Sequence, residues 1–425
     1  MTARCELLAA ATILPDDRVR TRGGHRCAAQ YDEDAVTLAA QAVIALRQDR
    51  LEPPSALIFA TVTPPYEEGG CAQLVAEIAG LPSQLFTVEL TATPRDGLAA
   101  VRLACGLICA GGGHVLVCAS HRRRADGERE AGDGAVALLL GPPGAEGGIA
   151  LLTPVHSHAE ELRDRWRLPG DLAPREGDAS FTDELGSTRV ARLLAEARQA
   201  GEPGEEAPQP IVVASSSRAA GRLERALGGP GDQAFVRTGL LGCAHPLLRM
   251  LLCLGEPSLL LAASGGLGES LLVEPEAAGA ALAAEVSGRV AAGREVDAVP
   301  PSPAALGFDP YASGPRAWRE RGQDLRLEGV LRDGEILYPP PAGLQGPRQP
   351  LPRRGRVITH TFDYVYPGAD GVQMVVLELE DGSRFYCQVL PGQRLQIDEE
   401  AQLLPRRLHE GGGMIQYFWK AAQCR

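Results

Sequence analysis

His245 lies in Gly242-Cys243-Ala244-His245-Pro246-Leu247-Leu248, at what reads as a helix start, where an imidazole can act as a base. The commoner role of a histidine there is a satisfied hydrogen-bonding group. Ser215-Ser216-Ser217 offers hydroxyl nucleophiles, but the sequence pairs no base with them, so a turn is the favoured reading. His156-Ser157-His158 sets two imidazoles one residue apart with no third ligand beside them, which falls short of a metal site. The ten cysteines form no CxxC pair and no disulfide framework. Cys105 and Cys109 lie four apart beside Leu103 and Leu107 and read as the core face of a helix. Ser264-Gly265-Gly266-Leu267-Gly268 is glycine-rich but joins two strands and opens no helix, so it is not a phosphate loop.

The elements that would position these groups alternate. Apolar periodicity predicts helices over 32–48, 71–79, 95–110, 218–227 and 246–254, the first capped by Asp32. Strands are expected over 56–61, 85–90, 115–119, 135–140, 211–214, 259–263 and 271–274. A strand, a buried helix and a strand pair recur in each half, which points to an internal duplication. From 353 the pattern changes to strands and turns: 356–365, 372–379, 384–389 and 402–408, with Asp381-Gly382 as a hairpin turn. This implies an α/β domain followed by a small all-β barrel.

Composition narrows the partners. The net charge is −12, and phosphate backbones need a basic face, so no nucleic-acid partner is expected. Arg122-Arg123-Arg124 reads as a solvated loop. Lys420 is the single lysine, and the arginine excess suggests a GC-rich genome. No apolar run reaches the length of about 18 residues that a membrane helix needs. Asp16, Asp17 and nearby arginines follow the start too soon for a signal peptide, so a reducing cytoplasm is the expected location.

Several segments resemble bacterial HMG-CoA synthase-like proteins. Tyr31-Asp32-Glu33-Asp34-Ala35-Val36-Thr37 is similar to their YDEDxVT stretch, and 60–66 (Ala-Thr-Val-Thr-Pro-Pro-Tyr) to their ATESxPY strand end. Gly132-Asp133-Gly134-Ala135, the segment 164–170 (Asp-Arg-Trp-Arg-Leu-Pro-Gly) and 242–248 resemble GDGAAA, DxWRxPGD and GAASPLL in the same order. The resemblance spans about 25–280 and implies a duplicated thiolase fold, layered αβαβα. The tail is similar to the OB-fold proteins that accompany thiolases and HMG-CoA synthases, through Arg406-Arg407-Leu408-His409-Glu410-Gly411-Gly412-Gly413 and Tyr417-Phe418-Trp419-Lys420. Trp318-Arg319-Glu320-Arg321 and Arg326-Leu327-Glu328-Gly329 resemble the lead-in to that family's zinc ribbon, but no cysteine occurs between Cys253 and Cys387, so no metal is expected. The implied domains are 1–295 (thiolase-like), 296–352 (linker and degenerate ribbon) and 353–425 (OB-fold).

The same resemblance implies lost chemistry. The family nucleophile is a cysteine at a buried helix start, where the helix dipole favours a thiolate; Pro94 stands there in Thr91-Ala92-Thr93-Pro94-Arg95-Asp96-Gly97. Proline suits a first helical turn and cannot attack a thioester. The acid/base glutamate position falls on Val62 and the polarising asparagine on Leu240, and Ala214-Ser215-Ser216-Ser217, where the resemblance puts the catalytic histidine, contains none. The expected protein is a scaffold or acyl-CoA-binding subunit with no cofactor of its own. It would form a homodimer, or a heterodimer with a catalytic paralogue, pairing through the strand at 115–120, and would meet a thiolase or ketosynthase through its OB domain. Two alternatives stay open: an active acyltransferase using His245, and a solitary acyl-CoA-binding regulator.

Overall fold

The computed structural model describes residues 3–46, 53–124, 128, 130–163, 165–178, 181, 184, 188, 190–193, 195–196, 208–214, 220–221, 224–225, 227–229, 231–299, 314–341, 343–364 and 371–424. Contacts divide it into two compact units: unit 1 holds 1–29, 42–73 and 84–299, and unit 2 holds 30–41, 74–83 and 300–425. No helix among the described residues is long and apolar enough to cross a membrane.

Unit 1 is built on strands β1 (Cys5–Ile13), β2 (Asp17–Thr21), β3 (Gly24–Cys27), β4 (Ala56–Ala60), β5 (Phe86–Leu90), β6 (Val115–His121), β7 (Gly134–Gly141), β8 (Ala150–Ala159), β9 (Arg165–Trp166), β10 (Arg175–Glu176), β11 (Gln209–Ala214), β12 (Ser258–Ser264), β13 (Leu267–Pro275) and β14 (Arg294–Val296). Its sequence range includes helices α1 (Ala35–Ala45) and α2 (Ala72–Ile78), each shared with unit 2, then α3 (Asp96–Cys109), α4 (Gln233–Thr238), α5 (Ala244–Leu252) and α6 (Gly279–Ala291).

Nine strands form one sheet in the order β11-β12-β13-β8-β1-β7-β6-β4-β5. The duplication read from the sequence is visible in this order. Outward from the central β1/β8 pair run β7, β6, β4 on one side and β13, β12, β11 on the other. In each half two paired strands are parallel, β4 with β6 and β11 with β12, and the next strand inward is antiparallel. The halves join as one hydrogen-bonded sheet through Cys5–Leu7 against Ala150–Leu152. Helix α3 touches β1, β4, β6, β7, β8 and β13, and α5 touches β6, β7, β11 and β12, so both helices lie between strands of the two halves. The face of α3 that meets the strands carries Leu98, Ala100, Val101, Ala104, Cys105 and Ile108, while Leu103 and Cys109 are exposed, so Cys105 lies in the core as expected and Cys109 does not.

Two sequence expectations change here. The strand at 115–120 was expected at an edge, but β6 lies between β4 and β7, with every residue buried. A strand apolar on both faces belongs inside a sheet. Among the described residues the edge strands are β11 and β5, and Phe86 on β5 is 55% exposed. The loop 122–124 is half-buried and bonded rather than solvated: Arg123 donates its backbone N–H to Asp133 (2.6 Å) and Arg124 to Glu128 (3.1 Å).

Unit 2 contains α7 (Gly314–Asp324), β15 (Glu328–Arg332), β16 (Glu335–Leu337), β17 (Arg348–Pro350), β18 (Arg354–Asp363), β19 (Val372–Leu379), β20 (Arg384–Gln388), β21 (Glu400–Gly411) and β22 (Met414–Gln423). The sheet β16-β15-β17 turns at Asp333-Gly334, whose φ values of 51° and 89° make the tight two-residue hairpin. The second sheet runs β20-β19-β18-β21-β22, and a parallel bridge between Val389 and Ala421 brings its two ends together. Val357, Val375, Leu377, Phe385, Leu403 and Trp419 are buried in this unit.

The segment 30–41 belongs to this unit through charge. Lys420 Nζ reaches Asp32 (2.8 Å), Arg406 reaches Glu33 (2.9 Å), and the Tyr417 hydroxyl donates to Asp34 (2.8 Å), all buried. Asp32 was expected to cap α1, but its carboxylate is committed to Lys420, and Asp34 takes the role. Asp34 Oδ1 accepts from Thr37 N, and Thr37 Oγ1 accepts from Asp34 N, both at 2.9 Å.

Candidate functional site

The starts of α3 and α5 meet in unit 1. A Cβ on Gly97 would overlap the Cys243 carbonyl oxygen, so glycine is what lets the two helix starts touch. Pro94 stands in the turn that opens α3, two residues before its first helical residue. Asp96 fills that turn: its carboxylate accepts from Ala92 N (2.8 Å), Thr93 N (3.0 Å) and the Thr93 hydroxyl (3.3 Å). The carboxylate thus ties the turn before α3 to the first helical residue and sets a buried acidic side chain beside position 94.

A thiol does lie here, though not at position 94. Cys243 is fully buried at the start of α5, and its Sγ donates to Thr93 O at 3.3 Å. Burial first, and the Asp96 charge second, push its pKa well above the ordinary thiol value. A buried thiol kept protonated is chemically inert.

Val62 follows β4, half-buried, and its carbonyl accepts from Arg167 (3.3 Å). It packs on the main apolar core. Its flanking Thr61 and Thr63 hydroxyls are 3.3 Å apart and buried. Leu240 is fixed by its backbone: its N–H donates to Glu130 O (2.8 Å), and its C=O accepts from Gly132 N (3.0 Å). Neither Val62 nor Leu240 brings a side-chain group that can move a proton or polarise a carbonyl.

His121, at the end of β6, is the histidine that the sequence reading passed over. Its ring packs on Gly242, where a Cβ would sit 2.6 Å from Cδ2, and its Nδ1 pairs with Gly132 O at 2.8 Å. Burial holds its pKa below the ordinary 6.5, against the pull of Glu128 and Asp133. Glu128, 4.0 Å from His121 Nε2, is clasped by Arg165 (3.2 Å) and Arg167 (3.6 Å). Its signal was the run from Arg122 to Glu128 beside the Arg-Trp-Arg stretch, but linear spacing does not reveal that these segments converge.

His245 is placed elsewhere, in a buried ion-pair chain. Its Nε2 pairs with Asp232 at 2.7 Å, Asp232 with Arg249 at 2.8 Å, and Arg249 with Glu224 at 2.6 Å. The neighbouring His245 and Arg249 charges overcome burial and hold the Asp232 carboxyl well below its ordinary range. Such a chain fixes α4 against α5 and leaves the imidazole engaged on one side.

The remaining candidates separate. His156 and His158 stand two apart on β8, the spacing that shares a strand face, yet each is engaged separately, with Glu196 (2.9 Å) and Glu160 (3.3 Å) respectively. Ser264 pairs with Leu267 across the β12–β13 hairpin, as a strand connection should. Ser215, Ser216 and Ser217 lie outside the described residues. Among the described residues, no three His, Cys, Asp or Glu side chains converge as a metal site.

No family model matches the chain. In sequence it is 31% identical to the hydroxymethylglutaryl-CoA synthase of Pyrobaculum neutrophilum over 161 residues, which cover 36% of this chain and 45% of the relative. The enzyme of Pyrobaculum arsenaticum is 30% identical over the same length and shares. The match thus spans less than half the length of these curated relatives. Among solved structures, OleA of Xanthomonas campestris superposes with a TM-score of 0.56 at 16% identity, covering 64% of this chain and 98% of OleA. MvaS in complex with 3-hydroxy-3-methylglutaryl coenzyme A gives 0.57 at 18%, covering 73% of this chain and 95% of MvaS. The chain carries a thiolase-like α/β fold with a large mixed sheet, and its sequence is related to the hydroxymethylglutaryl-CoA synthases.

Proposed function

We propose that this protein is a catalytically degenerate HMG-CoA synthase-like domain fused to an OB-fold domain. It serves as a scaffold or acyl-CoA-binding subunit of an acyl-CoA condensing complex. The observation that carries the reading is the start of α3. Pro94 stands where the family resemblance puts a nucleophile, Asp96 occupies the turn, and the adjacent thiol, Cys243, is buried and held protonated. Val62 and Leu240 at the other two positions are apolar. The alternative acyltransferase would need His245 as its base. Its burial and its bond to Asp232 favour a structural role.

The OB assignment is supported by the strand order β20-β19-β18-β21-β22 and by the Val389–Ala421 bridge that joins the two ends of the sheet. By the family resemblance, this barrel meets a thiolase or ketosynthase partner, while unit 1 dimerises with itself or with a catalytic paralogue. Acyl-CoA is the one ligand implied, with no resident metal or cofactor.

The test is intact-protein mass spectrometry after incubation with acetyl-CoA. The expected spectrum is that of the unmodified chain. An acyl adduct retained on the denatured protein would overturn the degenerate reading and return the choice to an active acyltransferase.

A further inference from the structure

Unit 2 holds a cleft of about 230 Å³ in which Arg319, Arg321, Arg326 and Arg348 face only two carboxylates, Glu77 and Glu328. Arg326 is fully engaged: it pairs with Glu328 (2.8 Å) and Glu77 (3.2 Å) and donates to the carbonyls of Leu81 (2.9 Å) and Gly80 (3.3 Å). Both carboxylates are thereby drawn to Arg326, and Glu77 also lies 4.0 Å from Arg321. Arg321 donates to Trp318 O (2.7 Å) and lies over the indole, 4.7 Å from its centroid. The side chains of Arg319 and Arg348 have no hydrogen bond or ion pair among the described residues. In a chain of net charge −12, two unneutralised guanidiniums in one concavity are out of keeping with the whole.

One further feature shapes the cleft for a ligand, and an aromatic side chain stands next to its lining residues. Gly322 lines it, and a Cβ there would come within 3.2 Å of Glu328 and 3.3 Å of Arg348, so glycine keeps the floor clear between them. Trp318 on α7 is 67% exposed, although Arg321 covers part of its ring. An exposed indole beside arginines is a stacking platform for a base, and the guanidinium fork matches phosphate oxygens two at a time.

We propose that this cleft binds a phosphorylated purine nucleotide, with Arg319 and Arg348 on the phosphate oxygens and the base stacked at Trp318. Free nucleoside diphosphates and the phosphorylated adenosine end of coenzyme A share this chemistry. The inference rests on the cleft alone and not on the acyl-CoA reading of unit 1.

Calorimetric titration of the full chain at low ionic strength tests it, with adenosine 3′,5′-bisphosphate, ADP, coenzyme A and inorganic phosphate as probes. At least one adenine nucleotide is expected to bind with Kd below about 1 mM. The double variant Arg319→Ala/Arg348→Ala should weaken that binding about tenfold or more, as loss of charged hydrogen bonds does. Trp318→Ala should weaken nucleotide binding about threefold or more while leaving the weaker phosphate binding unchanged. All three side chains are exposed, so the variants should melt with the parent. Coenzyme A sharing the losses of the free nucleotides would identify its adenosine end as the occupant; ADP binding without coenzyme A would identify a free nucleotide. Absence of binding by every probe, phosphate matching the nucleotides, or affinities unchanged in the double variant would each overturn the site. Coenzyme A binding unchanged in that variant would do so while leaving the acyl-CoA reading of unit 1 intact.

Discussion

Pro94→Cys is expected to leave the protein without condensing activity. A thiol at 94 would adjoin the Asp96 carboxylate, which already occupies Ala92 N and Thr93 N, so the thiolate would be disfavoured. Val62 and Leu240 would still supply neither proton transfer nor polarisation, and members of a catalytic set act together rather than singly. Turnover above background in a coupled acetyl-CoA assay of this variant would contradict the account. A second residue-scale expectation concerns His121. Its folded pKa lies below the unfolded value of 6.5, so its contribution to stability is complete above that pH. As pH falls below it, the unfolded chain takes the proton first and stability declines until the folded pKa is reached. Urea midpoints between pH 7 and pH 5 should therefore fall, and His121→Gln should flatten that fall even if it lowers the midpoint throughout.

At the scale of elements, the correction at β6 moves the assembly expectation to β5. That strand carries an open row of backbone donors and acceptors with Phe86 exposed and Val88 and Leu90 half-buried, a template for pairing unless covered. Light scattering is expected to find a dimer, or a complex with a paralogue, and Phe86→Asp with Val88→Lys should shift it toward monomer. A parent chain that is monomeric, with no partner captured from lysate, would remove the scaffold reading and favour a solitary acyl-CoA binder. The same scale holds the ion pairs of segment 30–41. Burial lowers the Lys420 pKa while Asp32 opposes the shift, so the pair survives by mutual compensation. Lys420→Met should cost up to about 3–5 kcal/mol, because it leaves the buried Asp32 carboxylate with Arg406 alone, 3.7 Å away, and Lys420→Met with Asp32→Leu should recover much of the loss. Chemical denaturation of the three variants measures this; additive losses would show that the two charges do not act as a pair.

At the scale of the whole molecule, the ribbon-like sheet β16-β15-β17 closes through Asp333-Gly334 with no cysteine in the segment. Two backbone turn residues close the β15–β16 hairpin there. Metal analysis of the purified full chain is expected to find no stoichiometric zinc, and chelation should leave the melting temperature unchanged. One zinc per chain would redirect attention to histidines, beginning with His156 and His158.

Much of the architecture was legible because local chemistry dictates it. The period-two run at 372–379, the turn at Asp381-Gly382 and the apolar length of 96–109 each specify an element without reference to the rest of the chain. The strand at 150–159 and the last strand, 414–423, were missed, because Pro154 and a polar outer face blur their alternation. That Val62, Pro94 and Leu240 carry no nucleophile, acid or base was likewise written in the sequence, since side-chain chemistry needs no fold to be read. Tertiary structure alone decided three other matters. It put β6 inside the sheet and left β5 at its edge, because pairing order depends on long-range hydrogen bonds that no window of sequence contains. It brought Cys243 to Thr93 and His121 to Gly242, across 150 and 121 positions, through the packing of two glycine-bearing helix starts and strand ends. And it turned a Tyr-Asp-Glu-Asp stretch that reads as a helix cap into the partner of Arg406, Tyr417 and Lys420, because buried charges must find opposite charges wherever the fold supplies them.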